Sequence, residues 1–410
     1  MIFDADLMAR DKAAIEKCEP VFKDIEATAT HNQWRVIEAF SKNRVGAQHL
    51  NGTTGYGYDD IGRDTLDRVF ADIMGTDDAL VRHTLASGTS TITVGLFGML
   101  RPGDNMLILT GTPYDTLLGV LGINGASDGS LADFKINCEV ADLKNGYPDI
   151  DKITAKLKEK HYAAAYIQRS RGYSLRHSLT ADEVTDLYNK VKEISADTAV
   201  IVDNCYGIFT DYKEPQADLL MGSLIKNAGG GIAPCGGYLA GSKQAIEKCS
   251  HRLTAPGVGR EIGATLSHNR ELYMGLFAAP QTVAAALKTA VYAACLFKDA
   301  GFEVLPEYNA PRGDIVQTVL LKNADNLIAF CRGVQEGSPV DSAAAPYPAP
   351  MPGYDDQIIM AAGAFTGGSS IELSADGPLR EPFAVYMQGG LNFDSGRYGV
   401  LHAAKRVLGK

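Results

Sequence analysis

The chain has 410 residues, 45% of them hydrophobic, which is enough to bury a large core and to build two or three domains. A net charge of −10, with Lys and Arg scattered and no basic run, excludes a face for a nucleic-acid backbone. Seven widely spaced cysteines with no Cys-x-x-Cys pair exclude a disulfide framework and a zinc site, and suit a reduced, cytoplasmic compartment.

The first six residues carry no basic segment leading into an apolar run, so no signal peptide is expected. Residues 1–45, rich in Ala, Glu, Lys and Ile at helical spacing, predict two helices. A Gly/Tyr-rich loop over 51–58 follows, then a charged amphipathic helix over about 63–74. From there to about 250, short apolar runs alternate with helical patterns. Strands are predicted over 105–110, 163–168, 199–203 and 237–240, and helices over 89–99, 114–121, 150–159 and 181–194. That alternation implies βαβ units and a mostly parallel sheet with helices on both faces. After residue 260 a long helical region, 262–296, leads into a smaller α+β segment with a Pro-rich loop at 346–352, stiff enough to rim a site. Its most apolar part, 282–297, is interrupted by Lys288 and is too short to span a bilayer, so no membrane partner is expected. The expected division is 1–50 (helical), 51–260 (large α/β domain) and 261–410 (linking helix and small α+β domain).

In open parallel sheets, ligands sit beyond the carboxyl ends of the strands. Asp203 directly follows the apolar run of 199–202 and so holds a privileged position. Lys226 lies 23 residues later, with a glycine run at 229–231 that lets backbone and ligand approach closely. A lysine in an apolar setting loses its charge readily and can form imines. Ser87, Gly88 and Thr89 open an apolar helix, where backbone N–H groups suit a phosphate, and Ser223 places a second hydroxyl near Lys226. Tyr114 opens the next helix and offers a ring for stacking. Each has an ordinary alternative: a solvated lysine, a capping Asp or Ser, a core tyrosine. Gly236–Lys243 and Gly257–Gly263 miss the phosphate-loop and dinucleotide spacings by one residue. No carboxylate cluster has metal-ligand spacing, so no metal is expected.

Read in order, several segments resemble the aspartate-aminotransferase-like fold type I of pyridoxal-phosphate (PLP) enzymes. They are Gly55-Tyr-Gly-Tyr-Asp-Asp-Ile-Gly-Arg63, Ala86-Ser-Gly-Thr89, Thr110-Gly-Thr-Pro-Tyr-Asp-Thr116, Gln168-Arg-Ser-Arg-Gly-Tyr173, Val202-Asp-Asn204 and Gly222-Ser-Leu-Ile-Lys-Asn227. Met351-Pro-Gly-Tyr354 and Glu372-Leu-Ser-Ala-Asp-Gly-Pro-Leu-Arg380 extend the series. Within that fold the chain is similar to the Cys/Met-metabolism branch and its methionine γ-lyase-like, aluminium-resistance subfamily. The resemblance implies Lys226 as the Schiff-base lysine, Asp203 on the pyridine nitrogen, Tyr114 stacked on the ring, and Ser87, Gly88, Thr89 and Ser223 at the phosphate. It also implies that Tyr58 and Arg63, with Tyr56 close behind, serve a neighbouring subunit's site in a homotetramer. Ile225 stands where the branch has a phosphate-binding threonine, and the usual C-terminal Arg-x-Ser carboxylate clamp is not recognisable. Arg380 is the candidate for the substrate carboxylate, with Arg171 beside it; the alternative for Arg380 is a surface ion pair with Glu381 or Asp376. The expected activity is a carbon–sulfur lyase for a small sulfur amino acid, such as a cystathionine β-lyase or methionine γ-lyase, with Lys226 and Tyr114 handling protons. An aminotransferase on the same scaffold, or a weakly active relative with a stress or binding role, are the alternatives.

Overall fold

The computed structural model describes residues 3–123, 125, 128–351 and 354–409. The chain begins with a single helix where two were expected, α1 (Ala5–Lys42), capped by the Asp4 carboxylate on the Leu7 N–H. Pro20 lies inside it on an exposed face, and the helix runs through it. After a 3-10 turn at Ala47–Leu50 come α2 (Ile61–Met74), β1 (Asp78–Arg82), α3 (Gly88–Met99), β2 (Asn105–Ile108) and α4 (Asp115–Leu121). Next are β3 (Asn137–Val140), a small hairpin of β4 (Leu143–Lys144) and β5 (Tyr147–Pro148), α5 (Ile150–Glu159), β6 (Ala164–Gln168), α6 (Ala181–Ile194), β7 (Ala199–Asp203) and β8 (Leu219–Ser223). The large part closes with β9 (Gly237–Gly241) and α7 (Lys243–Leu253).

Seven of these strands form one sheet in the order β1-β9-β8-β7-β6-β2-β3. It is parallel from β8 to β3, while β9 runs antiparallel to both its neighbours. Alternation along each strand feeds two cores. Met106, Ile108, Tyr166, Ile201 and Met221 face one, under α3, α4 and α7. Leu107, Ile167, Val200, Val202 and Leu220 face the other, under α2, α5, α6 and the next helix.

That next helix is α8 (Asn269–Asp299), which starts seven residues later than the periodicity suggests. Leu266 and Ser267 have positive φ, and the backbone here is occupied elsewhere: Gly263 N–H donates to Tyr56 O (2.8 Å) and Leu266 N–H to Thr53 O (3.1 Å). The Gly/Tyr-rich loop is thus docked on the segment that would otherwise have been helix.

The rest is an antiparallel sheet in the order β10-β11-β14-β13-β12, from β10 (Glu303–Leu305), β11 (Gln317–Leu320), β12 (Ile358–Ala361), β13 (Ser374–Pro378) and β14 (Ala384–Gln388). Helices α9 (Ala324–Glu336) and α10 (Phe393–Leu408) cover one face. Ala375, Val385 and Met387 point into that core. The period of two therefore turns Ser374, Asp376, Tyr386 and Gln388 to the opposite face, toward the large sheet. The architecture is the expected one: a mostly parallel central sheet with helices on both faces, and a smaller C-terminal antiparallel sheet. Among the described residues, no helix is long and apolar enough to cross a membrane, and no group of three or more His, Cys, Asp or Glu is placed to hold a metal ion.

Candidate active site

A cavity of about 510 Å³ opens between the carboxyl ends of the parallel strands and the inner face of the small sheet. The large-sheet wall carries Lys226, Asp203, Tyr114, Ser87, Gly88 and Thr89, so six of the sequence candidates converge there. Ser223 stands behind this wall. A Cβ added to Gly88 would sit 3.5 Å from the Ser223 Cβ, 3.2 Å from Cys205 Sγ and 3.8 Å from Lys226 Cε.

Each position is set by its element. Asp203 is the last residue of β7, buried between β6 and β8. One carboxylate oxygen accepts the Cys205 N–H (3.0 Å). Burial raises its pKa, against the Cys205 N–H and the charges of Lys226 and Arg176. The carboxylate would therefore gain from a positive group in the cavity.

Lys226 follows β8 after the short Leu224-Ile225 link, and its Nζ donates to the Tyr206 hydroxyl (2.5 Å) and to Ser370 Oγ (3.0 Å). The ammonium also lies 4.1 Å from the Tyr206 ring centroid. Burial works against its charge, but Tyr206, Cys205 and Asp203 outweigh that and hold the amine above the usual lysine value. The expectation of a readily neutralised lysine is corrected accordingly: the surroundings are polar on the cavity side. The lysine loop is fixed by Asn227, whose amide donates to Tyr206 O (2.9 Å) and Ile208 O (3.2 Å). Gly229 packs on α8 so closely that a Cβ on Gly275 would lie 2.4 Å from Gly229 O.

Ser87 caps α3 through the Ser90 N–H (3.0 Å), so its hydroxyl takes the ordinary capping role. Tyr114 is half-buried with its hydroxyl 3.0 Å from Thr89 Oγ1, and its backbone N–H is held by Gln168 Oε1 (3.0 Å). Burial keeps that phenol protonated far above its ordinary pKa.

Ser223 Oγ is buried and has no hydrogen-bond partner. A buried hydroxyl without a partner beside the opening of α3 has a hydrogen bond to spare for a ligand oxygen. Ser223→Ala is expected to leave thermal stability unchanged and to weaken PLP binding by about 10-fold or more, as for a lost hydrogen bond to a charged group. Equilibrium dialysis of PLP against both proteins measures it; equal affinity would remove Ser223 from the phosphate site.

The remaining candidates lie off the cavity wall. Arg63 is 1% exposed, and its guanidinium is committed to Asp64, Gly57 O, Gly263 O and Glu261 O, clasping the Gly/Tyr loop. Tyr56 and Tyr58 are 69% and 56% exposed and stack on each other at 5.6 Å, facing away from this chain. Arg171 is buried and donates to Ser178 Oγ (3.2 Å) and Leu305 O (3.0 Å). Arg380 is half exposed and paired with Asp356 (2.7 Å), a partner other than the two considered from sequence. Pro352 and Gly353 of the 351–354 motif lie outside the described residues; Tyr354 lines the cavity.

Sequence reasoning missed the opposite wall. Asp376, Tyr386 and Gln388 come from the small sheet, Ser370 from the loop before β13, and Tyr173 and Tyr206 from loops after β6 and β7. Asp376 is buried, accepts from Gln388 Nε2 (3.3 Å) and lies within reach of the Tyr173 hydroxyl. Burial pushes its carboxyl up to about 6. The readable signal was a polar residue at every second position of apolar strands, Ser374-Ala-Asp376 and Tyr386-Met-Gln388.

A cavity at the strand ends, with a half-buried lysine and a buried carboxylate on one wall, is set in a fold of the type I class. The methionine gamma-lyase family model matches residues 7–408, and the chain belongs to that family. It is 46% identical over 395 residues to the uncharacterized Bacillus subtilis protein YnbB, covering 95% of this chain and 94% of that one. The solved carbon–sulfur lyase involved in aluminum resistance from Clostridium novyi NT is 46% identical, with a TM-score of 0.94, covering 98% of this chain and 96% of that one. The PLP-dependent protein YhfS from Escherichia coli, 16% identical with a TM-score of 0.61 over 93% and 96% of the chains, shares the fold. Family membership implies PLP as cofactor, and the residues of the large-sheet wall fit it.

Proposed function

We propose that this protein is a PLP-dependent carbon–sulfur lyase. It cleaves a sulfur amino acid such as cystathionine or methionine by β- or γ-elimination, giving a thiol, a 2-oxo acid and ammonia. The observation that carries the reading is Lys226, hydrogen-bonded to Tyr206 and Ser370 and sharing the cavity with Asp203. Lys226 would carry the cofactor, Asp203 would face its ring nitrogen, Tyr114 its ring, and Gly88, Thr89 and Ser223 its phosphate. When bound, PLP supplies an electron sink for negative charge at the substrate Cα.

The rest is done by the chain. Lys226, its nitrogen held by Tyr206 and Ser370, takes the Cα proton as general base, and in γ-elimination Lys226 or Tyr114 also takes a proton from Cβ before sulfur leaves Cγ. The Tyr114 phenol, kept protonated by burial, donates to the departing sulfur as the carbon–sulfur bond breaks. The enamine released hydrolyses in water. Tyr56 and Tyr58, exposed on their loop, would complete the site of a neighbouring subunit in a homotetramer.

The test is turnover of L-methionine, L-homocysteine, L-cystathionine and L-cysteine by PLP-loaded protein without any 2-oxo acid acceptor, following thiol and 2-oxo acid. Sustained release of both is expected. Activity only when an acceptor is added would make the protein an aminotransferase.

A further inference from the structure

The small-sheet wall of the cavity has a chemistry that the lyase reading leaves unused. Three tyrosine rings meet there: Tyr173 lies 5.5 Å from Tyr354 and 5.1 Å from Tyr386 between centroids, tilted by 41° and 33°. Beneath them Asp376 closes the corner, tied to Gln388 and Tyr173. The cross-strand register of β13 and β14 sets Asp376 directly opposite Tyr386, so ring and carboxylate are presented as one unit. All three phenols are held protonated by burial, which leaves neutral rings with negative faces. Among the described lining residues, Lys226 is the only cation, and no arginine side chain reaches the cavity.

An anionic side chain entering this corner would meet the Asp376 carboxylate and three tyrosines, while Arg171 and Arg380 act on Tyr386 only from outside the cavity lining. A cation would meet a cluster of aromatic rings with a carboxylate beside it, and both attract ammonium and related ions. We propose that Asp376 with Tyr173, Tyr354 and Tyr386 forms a specificity subsite for a positively charged group in the part of the substrate beyond the scissile carbon. The substrate class is then a sulfur amino acid with a cationic side chain, either an ammonium on the leaving thiol or a sulfonium at the sulfur itself. This rests on the lyase reading for the reaction, but not for the binding preference.

The experiment uses the PLP-loaded enzyme and four ligands of similar length: S-(2-aminoethyl)-L-cysteine, S-methyl-L-methionine, neutral S-propyl-L-cysteine and anionic S-carboxymethyl-L-cysteine. Dissociation constants are measured by calorimetry and kcat/KM by thiol or thioether release. A cationic ligand is expected to bind at least about tenfold more tightly than the neutral one, and the anionic ligand more weakly still. Comparing the ammonium with the sulfonium identifies which cation is native. In Asp376→Asn the cationic-to-neutral ratio should fall to within about threefold of unity, and in Tyr354→Leu, which keeps the carboxylate, it should fall severalfold. The Tyr354 variant decides the matter if Asp376→Asn does not fold. Equal or tighter binding of the neutral or anionic ligand, or a ratio untouched by both substitutions, overturns the subsite. Absence of turnover with the binding order intact would instead count against the lyase reading alone.

Discussion

Lys226→Ala is expected to give a folded protein that is colourless after incubation with PLP, traps no cofactor on borohydride reduction, and releases thiol at least about 1000-fold more slowly, within the span for removal of a general base. Among the described residues no other lysine lines the cavity, so no described neighbour can take over. The fold should survive, because Tyr206 and Ser370 are 3.2 Å apart and can hydrogen-bond each other once the amine is gone. Losing Nζ therefore leaves no orphaned hydroxyl. Circular dichroism checks the fold, absorbance and borohydride trapping check the attachment, and single-turnover assays check the rate. A variant that stays yellow and reducible would show that another amine holds the cofactor.

The second large effect concerns Asp203. Asp203→Asn keeps the shape and the hydrogen bond from Cys205 but deletes the charge. kcat should fall on the order of 10²–10³-fold, as for loss of a preorganised electrostatic group in a closed site. Stability should hold or rise, because burial disfavours this carboxylate and its removal relieves that cost. The pH dependence of bound-cofactor absorbance supplies an independent readout: a ring nitrogen facing a carboxylate stays protonated to higher pH than one facing an amide. A variant with kcat within about threefold of the parent and an unchanged titration would place Asp203 in a purely structural role.

The parts of this site that could be read in the sequence are those whose chemistry and local structure share one short segment. Asp203 ends an apolar strand, Gly88 and Thr89 open an apolar helix, and Lys226 sits between a strand and a glycine run. Strand ends at the carboxyl edge of a parallel sheet need no long-range information to become site positions. Asp376, Tyr386 and Ser370 could not be placed that way, since they reach the cavity only once a second sheet folds back over the first. Tyr206 was hidden by proximity: it is three residues from Asp203, and only the turn at 204–210 brings its hydroxyl to Lys226. That turn is itself held by the buried Arg169, which donates to Asn204 Oδ1 (2.8 Å) and Thr210 Oγ1 (3.1 Å) and pairs with Asp211. Arg63 and Arg380 illustrate the opposite failure. A guanidinium matches a phosphate or a carboxylate in sequence equally well whether it meets a ligand or its own backbone and neighbours, and here the partners present are Gly57, Gly263 and Asp356.

Helix α1 is shared between the two cores. Its Leu7, Ala14 and Cys18 belong to the core of the small sheet, and its Val36 and Ala39 to that of the large one. Helix α8 runs antiparallel beside it, as the pairs Lys17–Asp299 and Glu26–Lys288 mark, and likewise divides its residues between both cores. This has a consequence for the order in which the protein is made. The apolar face of Leu7, Ala14 and Cys18 is made hundreds of residues before Phe330, Val385 and Leu401, its neighbours in the small-sheet core. These turns of α1 stay uncovered long after they are synthesised, so the growing polypeptide carries an unfinished seam until α10 emerges.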